Sequence, residues 1–354
     1  MKHPINANAP RGRGAGINPP NRFEDSARCP EIDESEEGIA PLPTQLFVDS
    51  SKTIIVRNDS PDVGFSAGIN PYRGCEHGCI YCYARPMHEY LGFSAGLDFE
   101  SKIMVKENAP AQLHAELDDK KWHPQVIALS GATDAYQPVE RRLQVTRRCL
   151  EVLCRFRNPV VVITKNFLVT RDIDLLSELA RYHAATVVVS VTTLKPELAR
   201  VMEPRASRPA KRLHAITLLA QAGIPVGVNI SPVIPGLTDE EIPAIAQAAA
   251  AAGARFAGMQ PVRLPHGVKD LFAQWLETHM PARKDKILNR IRAMRGQQLN
   301  DPRFGTRMQG EGIFAEQIKL LFSIACRQAG LAKHAPALSC AHFMRPNDKQ
   351  MPLF

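Results

Sequence analysis

Apolar positions between residues 66 and 265 follow two alternating patterns. Short, continuous runs rich in Val, Ile and Ala occur at 126–130, 160–164, 186–191, 226–230 and 254–259. Continuous rather than alternating runs are how parallel strands covered on both faces read. Between them, at 140–157, 170–182 and 209–222, apolar residues return at helical spacing. The last of these segments stops at Gly223, in the position of a C-cap glycine. A further helix is expected from Pro110, with Asn108 as its cap. Another is opened by Thr238, with Glu241 three residues on completing a capping box.

An extended piece ending near 71–73 supplies one more strand, so six strand–helix units are expected. Six units joined by right-handed crossovers wrap most of a barrel. The fold class is therefore α/β: a partial (β/α)6 TIM-type barrel. A doubly wound open sheet is the competing topology on pattern alone. Residues 46–58 predict one or two short strands that lead in. Residues 1–45 are rich in Pro, Gly, Asn and acidic residues with little apolar periodicity, which predicts a disordered N-terminal segment. Two helices are expected over 267–295 and another over 312–330, so 266–354 reads as a helical C-terminal cap on a core barrel at 46–265.

Of the 354 residues, 44% are hydrophobic, enough for a large core, and 23% are charged. No run approaches the ~18 apolar residues of a membrane span. Residues 1–20 lack the apolar centre of a secretory signal, so a cytoplasmic location is expected. The net charge of +8 favours anionic partners, nucleic acid among them. Part of that excess, Arg141, Arg142, Arg147 and Arg148, falls where a solvated helix face also accounts for it. Eight cysteines in a reducing compartment are thiols, and a group of them points to metal or catalysis.

Three of them stand close together in residues 73–85, RGCEHGCIYCYAR: Cys75, Cys79 and Cys82 in a C-x3-C-x2-C pattern. Zinc prefers four ligands, usually as two pairs. A cubane has four irons, each normally held by a thiolate. Three cysteines on four irons leave one iron open to a substrate. Ile80, Tyr81 and Tyr83 make the loop apolar, which disfavours the extra charge of a reduced cluster and lowers its potential. Gly74 and Gly78 allow a tight wrap. On the residues alone, a zinc site completed by His77 or His88 stays open, as does an iron–sulfur centre serving structure or electron transfer only.

The triad resembles the signature of the radical S-adenosylmethionine superfamily, C-x3-C-x-aromatic-C, with Tyr81 at the aromatic position. The resemblance implies one 4Fe–4S cluster on Cys75, Cys79 and Cys82. It implies binding of S-adenosylmethionine at the open iron, and its reductive cleavage to a 5′-deoxyadenosyl radical that takes hydrogen from a substrate. It also implies a one-electron donor such as flavodoxin or ferredoxin. GCEHGCIYCYAR, TDAYQPVE and SPVIPGLTD resemble the branch related to spore photoproduct lyase and DNA repair photolyase-like proteins, over about residues 60–330. Residues 301–308 and 315–318 resemble an uncharacterised bacterial subgroup of it. The substrate itself stays unidentified, with nucleic acid and other anionic molecules both open. The lyase activity itself is not carried over, because no cysteine stands between Cys82 and Cys149, where that enzyme has its hydrogen donor.

Barrels place chemistry at the carboxyl ends of their strands. The family's Gly-Gly-Glu after the second strand is missing here, and Ser130, Thr133 and Asp134 stand in its place. Ionised Asp134 only accepts hydrogen bonds, which suits an ammonium; it is equally a turn former. Ser190 and Thr192, two apart on one strand face, suit ribose or carboxylate, or plain packing. Arg205 suits a carboxylate fork, or the surface. Asn229 and Ser231 resemble the strand-five element against the adenine, and Gln260 offers an adenine edge contact. Lys165 ends the third strand and faces either the pocket or solvent. Cys340, in a polar stretch, is the candidate hydrogen-atom donor, while Cys149, Cys154 and Cys326 sit on apolar helical positions as structural thiols. From a different class, a non-catalytic iron–sulfur protein that binds nucleic acid or regulates is the alternative; formation of 5′-deoxyadenosine separates the two.

Overall fold

A computed structural model of the chain describes residues 10, 12–23 and 42–346. Ten strands follow in order: β1 (Gln45–Val48), β2 (Ile55–Arg57), β3 (Ala67–Ile69), β4 (Tyr72–Arg73), β5 (Lys102–Val105), β6 (Ile127–Leu129), β7 (Val160–Thr164), β8 (Ala185–Ser190), β9 (Val226–Val233) and β10 (Phe256–Pro261). All five apolar runs form strands. Val160, Val162, Val187, Val189, Val226, Val228 and Ile230 are almost fully buried, each contributing about 1.5–3 kcal/mol through lost apolar exposure.

The main sheet runs β10-β9-β8-β7-β6-β3-β2. β3 and β6 to β10 are parallel neighbours in sequence order, and only β2 is antiparallel. A doubly wound sheet reverses its strand order at a switch point. This one never reverses, so right-handed crossovers put the helices on one face and leave the other as a concave lumen. That is the six-unit winding expected, with one limit: the end strands β10 and β2 are not neighbours, and the barrel stays open. The exposed edge of β10 is covered by Ala332, which exchanges backbone hydrogen bonds with Arg255 and Ala257, a usual protection for such an edge. Across the gap, the Asp62 carboxylate accepts from the Gly305 amide at 2.7 Å and Arg307 Nε at 2.6 Å. A small second sheet, β1-β5-β4, carries the chain from β3 into the cysteine loop.

Four expectations change. The helix expected over 140–157 is two, Glu140–Leu143 and Val145–Phe156, with Gln144 between them at φ 53°. The Glu140 carboxylate is the reason: it accepts from the amides of Thr146 and Arg147, and so caps the second helix. The capping box at Thr238 does not form. Glu241 turns instead to the Thr193 hydroxyl (2.7 Å) and the Leu194 amide (2.8 Å), fastening the loop after β8. Asn108 stands at the N-cap of Ala109–Asp118 without a side-chain cap bond. Residues 12–23, inside the segment expected to be disordered, are seated in the fold. The Gly14 and Ala15 amides both donate at 2.8 Å to the buried Glu100 carboxylate. A Cβ on Gly14 would lie 1.8 Å from the Gly78 carbonyl oxygen, so only glycine lets this segment lie on the cysteine loop. At the other end of that segment Thr44 donates to Glu76 and Gln45 opens β1, while residues 24–41, with Cys29, and most of 1–11 lie outside the described residues.

The helices Val268–His279 and Lys284–Ala293 appear where expected. Phe272, Trp275, Ile287 and Ile291 form one apolar cluster with Ile234, Leu237 and Ile80, so this part of the chain packs directly on the cysteine loop.

Candidate functional site

The cysteine loop leaves β4 and is wrapped by backbone contacts: Cys75 N to Phe99 O at 2.8 Å, Ile80 N to Met202 O at 3.0 Å, and Cys82 N to Cys79 O at 3.1 Å. Gly78 takes φ 66°, a left-handed turn that a larger residue resists. Arg85, wholly buried, knits the turn by donating to the carbonyls of Cys79, Ala95 and Gly96, and by pairing with Glu100 at 2.5 Å. The carboxylate that receives Gly14 and Ala15 therefore also holds Arg85.

All three triad thiols are pushed up. For Cys75 the causes are burial, then Asp134 and the neighbouring cysteines. For Cys79 they are burial, then Glu203. For Cys82 burial acts against Arg85. Such thiols ionise only when a cation supplies the missing charge. Backbone amides of Asp134 and Ala84 are directed at the sulfurs of Cys75 and Cys82.

Of the two histidines the zinc alternative names, His77 is held by other side chains, while His88 keeps a buried Nε2 without a hydrogen-bond partner. His77 Nε2 meets Asn166 Nδ2 at 3.0 Å and its Nδ1 faces Asp134 at 3.4 Å. His88 stacks on Phe93 and lies edge-on to Phe99. Among the described residues, no three His, Cys, Asp or Glu side chains are grouped to hold a single metal ion. Three cysteines in one loop, Cys75 and Cys79 buried and Cys82 half-buried, fit a cubane with one open iron.

Behind the loop lies a buried polar network. Tyr81 OH donates to Glu203, which pairs with Arg212 and accepts from Thr192 Oγ1 at 2.7 Å. Burial raises the Glu203 carboxyl, but Arg212, Lys165 and the hydrogen bonds outweigh it and hold it at about 2. Lys165 Nζ donates to Ser231 O at 3.3 Å and lies 5.9 Å from the Tyr81 ring centre. Its lumen-facing position joins β7, β9 and the triad loop. Sequence reasoning missed Glu203 and Arg212; a buried ion pair leaves no spacing signal.

The structure gathers some predicted residues and scatters others. Ser190, Asn229 and Gly258 are register partners on β8, β9 and β10. Beyond them Thr192 donates to the Ser231 carbonyl at 3.0 Å, and a register shift between Met259 and Pro261 takes Gln260 out of the pairing with β9. Gly258 leaves Asn229 Oδ1 room: a Cβ there would sit 3.3 Å from it. Gln260 Nε2 contacts Met308 Sδ at 2.9 Å. Ser130, at φ 133°, turns its hydroxyl to Thr133 O, and Thr133 donates to Tyr72 O.

Asp134 does not offer a free carboxylate. Its oxygens accept from Thr164 Oγ1 (2.7 Å), the Tyr136 amide (2.8 Å) and the Lys165 amide (2.7 Å), with His77 beside them. It is a brace between β6, β7 and the cysteine loop. Arg205 turns away from the lumen to Glu76 (3.0 Å) and Thr44 (3.2 Å), beside an outer cavity of about 350 Å³ lined by Arg141, Asn166 and Ser207. Cys340 lies at the opposite end of the barrel. Its neighbour Ser339 bonds the carbonyl of His183, just before β8 begins, and Met344 bonds Phe156 O. The six residues of β8 span about 17–20 Å, which removes Cys340 from any role at the triad.

A family model for the radical SAM superfamily matches residues 69–249. An uncharacterized protein of Mycobacterium tuberculosis is 36% identical over 219 residues, covering 61% of this chain and 64% of the relative. An uncharacterized protein of Methanocaldococcus jannaschii is 33% identical over 173 residues, covering 49% of this chain and 62% of its own. The matches thus span less than two thirds of these relatives. Among solved structures, a spore photoproduct lyase variant superposes with TM-score 0.58 at 16% identity, covering 81% of this chain and 80% of its own. A spore photoproduct lyase complexed with dinucleoside spore photoproduct gives 0.56 at 15% identity with the same coverage. At such identities the likeness establishes the fold. No helix among the described residues is long and apolar enough to cross a membrane.

Proposed function

This chain belongs to the radical SAM superfamily, and from that membership we propose that it is an iron–sulfur enzyme that cleaves S-adenosylmethionine reductively and takes hydrogen from an unidentified substrate. The observation that carries the reading is the triad of Cys75, Cys79 and Cys82, two of them buried and the third half-buried, with the neighbouring His77 held by Asn166 and Asp134. When bound on these thiolates, a 4Fe–4S cluster supplies an open iron for S-adenosylmethionine and the electron that releases the 5′-deoxyadenosyl radical.

The chain's own residues bind, orient and exclude water. The carboxyl ends of β8, β9 and β10 are the cofactor's bed, with Ser190 and Asn229 as register partners and Ser231 and Gln260 beyond them. Thr192 serves from beneath, because its hydroxyl is held by Glu203 and the Ser231 carbonyl. Ser130 and Thr133 shape the loop after β6 that bounds the site, and Asp134 braces that loop. The Glu203–Arg212 pair fixes the Tyr81 phenol, so the loop keeps its form when charge arrives. A one-electron donor such as flavodoxin or ferredoxin supplies that electron. The net charge of +8, and the likeness to a fold solved with a dinucleoside lesion, favour a nucleic-acid substrate.

Anaerobic reconstitution tests the reading. We expect about four irons per chain, and 5′-deoxyadenosine when S-adenosylmethionine and a strong reductant are added. An iron-loaded, reduced protein that leaves S-adenosylmethionine intact overturns it in favour of a non-catalytic iron–sulfur protein.

A further inference from the structure

Arg263, just beyond β10, has no part in the functions assigned above. Its guanidinium lies 4.7 Å from the centre of the Tyr83 ring. Tyr83 directly follows the third cysteine of the triad, and its hydroxyl donates to Gly131 O at 2.5 Å. Arg263 therefore sits where the cysteine loop, the loop after β6 and the end of β10 meet. Yet no group among the described residues accepts a hydrogen bond from it, and its Nε is buried without a partner. The two arginines nearest in charge are engaged. Arg295 donates to the carbonyls of Val262, Thr306 and Arg307; Arg307 donates to Asp62 and Ser60. Burial lowers the Arg263 guanidinium, Arg307 lowers it further, and Tyr83 and Asp62 act against them. The outcome is a half-buried fork with no acceptor in a positive field, which an incoming anion relieves.

One exposed aromatic ring lies under this fork, and a second lies under the neighbouring Arg307. Tyr83 is 40% exposed and Phe304 is 60% exposed, each covered on one side by an arginine, Arg263 over Tyr83 and Arg307 over Phe304 at 4.3 Å. Flat rings with a free face beside an unpaired guanidinium match a base and its phosphate. An acidic peptide satisfies the fork but leaves the rings bare.

We propose that Arg263 anchors a phosphate of a single-stranded nucleic-acid substrate at the mouth of the barrel, with a base stacked on Tyr83 or Phe304. This rests on the reading of the triad loop as the reaction centre.

The test uses the reconstituted holoprotein and a fluorescein-labelled thymidine decamer, followed by anisotropy through a salt series. Arg263→Gln is expected to weaken binding at least tenfold and to lower the salt slope by about one. Arg263→Lys keeps the charge without the fork and recovers only part of the affinity. Arg181→Gln, an exposed arginine at the far end of its helix, binds as the parent does. A glutamate peptide of equal charge does not displace the decamer. Iron content and a thermal melt confirm that each variant is folded and loaded. The inference is overturned if folded Arg263→Gln binds like the parent, if the parent does not bind the decamer, or if the peptide displaces it equally. If the parent makes no 5′-deoxyadenosine while Arg263-dependent binding persists, the radical reading falls and the phosphate anchor stands.

Discussion

In the helix Val145–Phe156, Cys149 is sealed in the main apolar core and Cys154 donates its thiol to the Leu175 carbonyl. Burial, then Glu140 for the first and Glu178 for the second, pushes both up to about 12. In the loop from Cys75 to Cys82, burial does the same to three thiols. The two regions share apolar cover and protonated sulfur. They differ in company. The helix keeps its cysteines apart and gives them hydrocarbon, whereas the loop sets three within eight residues, among Lys165, Arg212 and Arg85 on one side and Asp134 and Glu203 on the other. Burial alone makes an inert thiol; burial beside two more thiols in one loop makes a ligand set.

The sharpest way to break this contrast is to remove one sulfur from each region. Cys75→Ala, Cys79→Ala or Cys82→Ala is expected to cut bound iron and 5′-deoxyadenosine formation to background. Cys149→Ala should retain iron and lose about 1–2 kcal/mol of stability by denaturant melt. Equal iron loss in both regions would erase the distinction.

Next in size is Glu203→Gln, which leaves Arg212 buried without its partner. It should cost about 3–5 kcal/mol. The folded carboxyl, held at about 2 against an ordinary 4.5, contributes stability that is complete above pH 4.5 and is lost as pH falls through 2. That part of the acid unfolding profile should be missing in the variant.

Asp134→Ala sharpens the brace-against-ligand distinction. Losing its hydrogen bonds should lower the stability of the iron-free protein by about 1–3 kcal/mol; a residue serving only the cofactor would leave that melt unchanged. Smallest of all, Cys340→Ser should keep iron content and 5′-deoxyadenosine formation within about twofold, with stability within about 0.5 kcal/mol.

The fold was largely legible because buried parallel strands advertise themselves as unbroken Val and Ile runs: β7, β8 and β9 stand where the pattern set them. The triad was legible because three cysteines at that spacing need a shared ligand. What stayed hidden depends on contacts distant in sequence. Glu241 fits a capping box three residues from Thr238, yet a loop at Thr193, far back in the chain, offered its carboxylate better partners. Asp134 and Arg205 have the right chemistry for cofactor contacts, but tertiary neighbours had already taken them. Cys340 looked free in a polar stretch because no local pattern tells which end of a barrel a returning chain will reach. Residues 12–23 lack apolar periodicity, and their order comes from backbone amides meeting Glu100 rather than from any hydrophobic stripe.

Asp62 closes on one point what a continuous ladder would have closed along its full length. A ladder shares strain over many backbone bonds and yields all at once. The Asp62 carboxylate gripping Gly305 and Arg307, with the Ser60 hydroxyl beside it, works as a clasp on a cuff. Such a tie is polar and local, so salt and acid weaken it before they weaken the strand ladders.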